Sequence, residues 1–261
     1  MQLSDTKHRL RARPEVRPVD SGETASSRSR AAAVPRVNAL LEEMPPLQRA
    51  RFMSCLKPVS LQFGEVMHEA KAIRHVYFPV DCLVSLFAPL KDHLAVEVGM
   101  VGSEGMVGVP LALGVRTSSV RALVQGSGTA LRMEASSFLR ELKRSAALQA
   151  GIHRYIHLLM GQLTQTAACN AFHPIEARCA RWLLLTRDRM QSDEVELTHE
   201  FLAGMLGVRR VGVTIAAGNL QREGLIAYSR GHIAILDPER LAKRACECYA
   251  VVKNLYDNPS A

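Results

Sequence analysis

The sequence predicts an α+β fold in three parts: an N-terminal antiparallel β-roll, a long helix suited to dimerisation, and a C-terminal winged helix-turn-helix. Three observations carry this reading. Apolar spacing changes from helical to alternating near Pro58 and returns to helical after Met133. Ile152, Ile156, Leu159, Leu163 and Thr166 then step by 4, 3, 4 and 3, a heptad-like seam. Finally, two short helical patterns meet at Gly207, and two short apolar runs follow around a Ser229–His232 turn.

Residues 1–36 are rich in Arg, Pro, Ser and Glu without apolar periodicity, which predicts a disordered basic tail. Order is expected from Val37. Val37, Leu40, Leu41 and Met44 recur at helical spacing until Pro45 and Pro46, and a second short helix over 47–56 ends before Pro58. Val59, Leu61 and Phe63 begin the alternating region. Val76 and Phe78, the run Leu83–Phe87, then Leu94, Val96, Val98 and Met100 continue it, followed by Val120, Ala122 and Val124, and Leu131 and Met133. Short strands separated by glycine turns argue for a closed or rolled antiparallel sheet.

A short helix is expected over 134–142 and a long one over 146–170, with Leu148, Tyr155 and Leu158 widening its apolar face. One face of that helix is expected to pack on the roll while the seam meets a partner helix; packing entirely within one chain is the alternative, and the helix's length favours the partner. His173 and Pro174 open the next helix, with Ile175, Cys179, Trp182 and Leu183 on its inner face. The expected division is therefore a tail (1–36), a β-roll with flanking helices (37–144), a dimerisation helix (145–172) and a winged helix-turn-helix (173–256).

Composition narrows the partners. The 261 residues carry 33 Lys and Arg against 25 Asp and Glu, a formal charge of +8 that favours polyanions. No stretch reaches the roughly 18 apolar residues that span a bilayer, and the N-terminus lacks a signal peptide's apolar core. A cytoplasmic protein with no membrane partner is expected. Cys55, Cys82, Cys169, Cys179, Cys246 and Cys248 contain no C-x-x-C pair and no zinc-finger spacing, so ordinary reduced thiols and no metal are expected. Cys246 and Cys248, two apart, would face different sides of a helix.

The segment from Val195 to Leu236 carries the chemistry. Thr198 is an N-cap residue, with Glu200 in the first turn. Phe201, Leu202, Met205 and Leu206 form an apolar face, Gly207 permits a sharp turn, and Val208 plugs it from inside. A second helix is expected over Arg209–Arg222, with Gly224 as its stop. In such a motif the start of the second helix enters the major groove. Arg209 and Arg210 stand there, and a guanidinium donates two bonds to guanine O6 and N7. Val211, Gly212 and Thr214 complete the expected base-reading set, Gly212 by removing a side chain near the duplex and Thr214 by approaching a thymine methyl or a phosphate. Thr198, His199, Arg230 and His232 are expected on the phosphate backbone.

At these residues the chain resembles the Crp/Fnr family of bacterial regulators. The stretches that carry the likeness are GMVGSEGMVGVPLALG (Gly99–Gly114), AACNAFHPIEARCARWLLLTRDRM (Ala167–Met190) and LTHEFLAGMLGVRRVGVT (Leu197–Thr214). The resemblance implies a cyclic-nucleotide-binding-like roll and a homodimer on palindromic double-stranded DNA, with RNA polymerase recruited or blocked. It also shows departures. Cyclic-nucleotide binders place a glutamate and an Arg-Ser pair where this chain has Val109 and Ser118-Ser119, and iron–sulfur members use cysteines nearer the N-terminus than Cys55. Neither cofactor is expected. Arg210 matches an arginine of the cyclic-AMP receptor, but Val211 and Ile215 replace its glutamate and second arginine, so the operator does not carry over.

Two alternatives stand beside this reading. One keeps the fold and lets the roll bind an unidentified small-molecule effector. The other is a metal-dependent cupin enzyme, disfavoured because His68, Glu69, His75 and His93 are scattered with no H-x-H pair. No catalytic residue is expected.

Overall fold

A computed structural model describes residues 37–90 and 96–258. The tail at 1–36, and with it His93 and Leu94 of the sequence reading, lie outside them. The chain enters through α1 (Ala39–Glu42) and α2 (Pro46–Ser54). Seven strands follow: β1 (Lys57–Leu61), β2 (Val66–His68), β3 (His75–Pro79), β4 (Leu83–Ala88), β5 (Val96–Val101), β6 (Arg121–Gly126) and β7 (Gly128–Glu134). All pair antiparallel, in one sheet of order β1-β7-β3 and another of order β2-β6-β4-β5. The alternating apolar pattern makes this arrangement favourable, because each strand turns one row of side chains inward. Val76, Phe78, Val84, Val101, Ala122, Val124 and Ala130 form a core between the sheets. Phe52 of α2 closes one end, edge-on to Phe78 at 5.7 Å.

Helix α3 (Ala135–Arg144) leads into α4 (Ala146–Phe172), whose N-cap Ser145 accepts a hydrogen bond from the Leu148 amide. Leu148, Ile152, Tyr155 and Leu159 of α4 are buried against the roll, with Ile156 and Leu163 packed on the same core. Gly105 permits the approach: a Cβ there would lie 2.2 Å from the Tyr155 ring. This corrects the seam. Ile152 and Leu159, read as facing a partner helix, are buried instead against the apolar surface that the roll supplies, while Ile156 and Leu163 are half-buried on the same core. The face left exposed is His153, His157, Met160, Thr164, Ala167 and Ala171, at steps of 4, 3, 4, 3 and 4.

The remainder consists of α5 (Ile175–Met190), β8 (Glu194–Glu196), α6 (His199–Leu206), α7 (Arg210–Arg222), the hairpin β9 (Ile226–Ser229) and β10 (His232–Ile235), α8 (Pro238–Arg244) and α9 (Cys248–Asp257). Cys179, Leu183, Leu202, Leu206, Val213, Ala217, Leu220, Ile226, Ile233 and Leu241 share one core, which Leu83, Phe87 and Met100 of the roll extend. Among the described residues no single helix is long and apolar enough to cross a membrane.

A buried polar chain also joins roll to α5. Trp182 Nε1 donates to Glu97 Oε1 at 3.0 Å, and Gln125 Nε2 donates to Thr186 Oγ1 at 3.1 Å. Between them Ser85 Oγ lies 2.6 Å from Glu97 Oε2 and 2.5 Å from Gln125 Oε1, with one proton to give. A protonated Glu97 resolves the shortage: it donates to Ser85, which donates to Gln125. Burial pushes the Glu97 carboxyl up to about 7, against the hydrogen bonds of Ser85 and Trp182 and the charges of Arg181 and Arg189.

The folded value lies above the unfolded one, so this group's contribution is full below the ordinary carboxylate range and is lost as pH rises through about 7. At ~1.4 kcal/mol per unit the loss amounts to about 3 kcal/mol at most. Urea unfolding from about pH 5 to about pH 8 should show a falling stability that Glu97→Gln flattens. An unchanged slope in that variant would place the titration elsewhere.

Candidate nucleic-acid interface

Helix α6 begins at Thr198, whose Oγ1 accepts from the Phe201 amide at 3.2 Å. It ends at Gly207, in the left-handed region at φ 62°. From there the chain turns through 107° into α7, within the range of a helix-turn-helix. Glycine is required there twice over. Left-handed backbone is costly for other residues, and a Cβ would lie 2.7 Å from Val96 Cγ2 of β5. Gly207→Val should lower stability by about 1–3 kcal/mol, read as a drop in the thermal midpoint; an unshifted midpoint would mean that the turn relaxes freely.

Arg209 caps α7 rather than starting it: its φ of −72° and ψ of 143° are extended, and the helix runs from Arg210. The one-residue difference follows from the turn, which needs an extended residue before helical bonding begins. Arg209 and Arg210 are both exposed at this N-terminal end, with the Glu200 carboxylate 4.0 Å from Arg210 Nε. Val213, Ala216, Ala217 and Leu220 turn into the core. Arg210, Val211, Thr214, Ile215, Gly218, Gln221 and Arg222 form the outer face. Val211 and Ile215 are 63% and 61% exposed, large apolar surface at the place where thymine methyls would be met.

Two assigned roles change. Gly212 faces α5, where a Cβ would lie 2.9 Å from Ile175 Cδ1, so it admits close helix packing instead of a DNA approach. His199 lies flat on Tyr228 of the wing, ring centroids 4.0 Å apart, with Nδ1 3.1 Å from Thr214 Oγ1. Thr214 already donates to Arg210 O at 3.1 Å, so His199 Nδ1 carries the proton and Nε2 is left buried without a partner. Burial and then the Arg210 charge lower its pKa. A neutral, inward imidazole spaces α6 from α7 and the wing; it does not offer a cation to phosphate. Thr214 keeps its exposed position, but its hydroxyl is engaged, which leaves the methyl for contact.

The wing is a two-residue hairpin, Ser229 pairing with His232 across Arg230 and Gly231. Both loop residues have positive φ, 47° and 85°, as a type I′ turn requires. Arginine is a costly choice at the first of them, which points to a use for the exposed Arg230 side chain. His232 is exposed beside it, and Leu197 N donates to Gly231 O at 2.6 Å, tying the wing tip to the start of α6. Thr198, with its cap bond made, retains a hydroxyl proton at the same edge.

Sequence reading missed the buried arginines that hold this unit. Arg178 donates to Leu206 O at the end of α6 and to Asn170 Oδ1 at 2.8 Å, while Arg181 donates to Thr166 Oγ1 at 3.0 Å. Of the cupin ligands weighed in the sequence, His75 pairs with Glu134 at 2.9 Å and His68 Nδ1 meets Glu69 O at 3.1 Å, and they do not form a metal-holding group among the described residues. All six cysteines are free. Cys169, Cys246 and Cys248 gather with His173, the one metal-competent group among the described residues. Cys246 precedes α9 while Cys248 begins it, so the pair shares a side that a continuous helix would have separated.

Residues 177–244 match the Crp-like helix-turn-helix domain family. No curated protein sequence matches the chain. Among solved structures, a regulator from Eubacterium rectale assigned to the Crp/Fnr family is similar at 18% identity, covering 79% of this chain and 97% of that one with a TM-score of 0.61. A CRP-family transcriptional regulator from Thermus thermophilus is similar at 21% identity, 72% and 96% coverage and a TM-score of 0.61. The c-di-GMP-responsive global regulator CLP of Xanthomonas campestris is similar at 16%, with 73% and 99% coverage and a TM-score of 0.60. At these identities the likeness speaks to fold.

Proposed function

We propose that this Crp/Fnr-type DNA-binding transcription regulator works as a homodimer that reads a palindromic operator through the outer face of α7. The single observation behind the reading is the pair Arg209 and Arg210, exposed at the start of a helix that a left-handed glycine turn and a wing hold clear of the core. Arg210, Val211, Thr214 and Ile215 take base edges. Arg209 takes a base edge or a flanking phosphate, and Thr198, Arg230 and His232 take phosphates. Two chains pair along the exposed α4 face, which sets half-sites about 10 bp apart. Bound DNA then recruits or blocks RNA polymerase in the cytoplasm. The chain is not an enzyme.

The roll is read as a scaffold because Val76, Phe78, Val84, Val101, Val124 and Met133 fill its interior. A ligand-gated roll is the alternative outcome of a thermal-shift screen, since an effector that binds the folded chain raises its midpoint. The primary test is selection from random duplexes with the purified full-length chain. Enrichment of a two-fold symmetric sequence is expected, with affinity falling steeply as salt rises. Binding without preference over random competitor would overturn the reading.

A further inference from the structure

Four ligand-type side chains that are far apart in sequence converge where the long helix ends. Cys169 lies in the last turn of α4, and His173 occupies the break between α4 and α5. Cys246 and Cys248 flank Glu247 at the corner between α8 and α9. The four donor atoms all lie within 4.8 Å of one another. Cys169 Sγ is 3.5 Å from Cys246 Sγ, and Cys248 Sγ is 3.4 Å from His173 Nδ1. A tetrahedron with Zn–S near ~2.3 Å and Zn–N near ~2.0 Å has edges of roughly 3.5–3.8 Å, so these two pairs already stand near tetrahedral spacing. All three cysteines are buried and free.

The surroundings match a metal centre independently of those distances. His173 Nε2 lies 3.1 Å from Glu247 Oε1. That contact places the ring proton on Nε2 and turns the Nδ1 lone pair toward the sulfurs, as an outer-shell carboxylate does for a metal-bound histidine. Gln165 Nε2 donates to Cys248 Sγ at 3.0 Å, a bond a thiolate accepts more strongly than a thiol. Three thiolates, a neutral imidazole and a divalent ion carry one net negative charge. Arg178 and Arg181, both buried, lie within electrostatic reach of Cys169, and the Nε of each has no hydrogen-bond partner. A disulfide between Cys169 and Cys246 would use two of these groups and leave Cys248, His173 and Glu247 without a purpose.

We propose that Cys169, His173, Cys246 and Cys248 bind one zinc ion, joining the end of α4 to the α8–α9 corner across the break between α4 and α5. Binding expels the three thiol protons to solvent, so affinity falls on acidification. The site depends on no property of the DNA-contacting face.

Metal analysis of the full-length chain, purified under reducing conditions and dialysed after zinc loading, should find one zinc per chain. Cobalt in its place should give intense tetrahedral d–d bands and a thiolate charge-transfer band. Cys246→Ser and Cys248→Ser should abolish both, and a chelator should lower the thermal midpoint of the parent chain but not of these variants. Should the serine variants fail to fold, Glu247→Gln keeps the question open to test: full occupancy at saturating zinc with affinity about 10–100-fold weaker is expected. Substoichiometric zinc after loading, cobalt spectra without thiolate charge transfer, or wild-type affinity in Glu247→Gln would each overturn the assignment.

Discussion

Arg210→Ala should weaken binding to the selected operator by about 1–3 kcal/mol for each half-site, about 5- to 150-fold apiece, and relax base preference at one position in each half. The expectation follows from placement. Arg210 occupies the first turn of α7 with its side chain exposed, and its nearest counter-ion, Glu200, stands 4.0 Å away in solvent. An exposed ion pair of that length is worth little, so the guanidinium is free to exchange it for a guanine edge. Arg230→Ala is the control. Its loss should weaken all sequences alike and make the salt dependence shallower by about one phosphate per subunit, because a wing residue contributes charge without base information. Competition binding against single-base operator variants separates the two. Undiminished selectivity in Arg210→Ala would remove that residue from the reading face.

Met160→Glu should convert the protein to a monomer and reduce operator affinity by at least about a hundredfold. Met160 is 60% exposed at the middle of the unpartnered α4 face, so the chain itself loses little when it is replaced. Across a two-fold axis, however, two carboxylates would oppose each other where an apolar contact is needed. The second recognition helix then no longer binds as a tethered group, and the gain from effective concentration disappears. Leu159→Ala gives the contrasting result. Leu159 is buried in the roll core, and its truncation should cost about 2–5 kcal/mol of folding stability. Sedimentation equilibrium with thermal unfolding distinguishes the two: a folded, still dimeric Met160→Glu would refute this pairing face.

Much of this architecture was legible because its signals are local. Alternation at Val96, Val98 and Met100 placed β5, and Gly207 between two apolar helices placed the turn. Ser229–His232 was legible as the wing hairpin for the same reason: a two-residue turn depends on its own φ angles. The site was legible in outline. Arg210, Val211 and Thr214 stand on the outer face as read, whereas Gly212 and His199 do not. Their roles are set by Ile175 and Tyr228, partners that no spacing within the motif discloses. The α4 seam was legible only in part. Its outer and inner faces both step by threes and fours, and only the roll decides which is covered.

Periodicity, turn residues and the paired arginines belong to the sequence alone, since each arises from neighbours within about two helical turns. They were enough for the order of the elements and for the end of α7 that is proposed to meet DNA. Tertiary packing decided the rest: which stripe of α4 stays exposed, the raised pKa of Glu97, and the meeting of Cys169 and His173 with Cys246 and Cys248. The contacts of Cys246 and Cys248 with Cys169 and His173 close loops of more than seventy residues, and a long-range contact leaves no trace in local spacing until the core has formed around it.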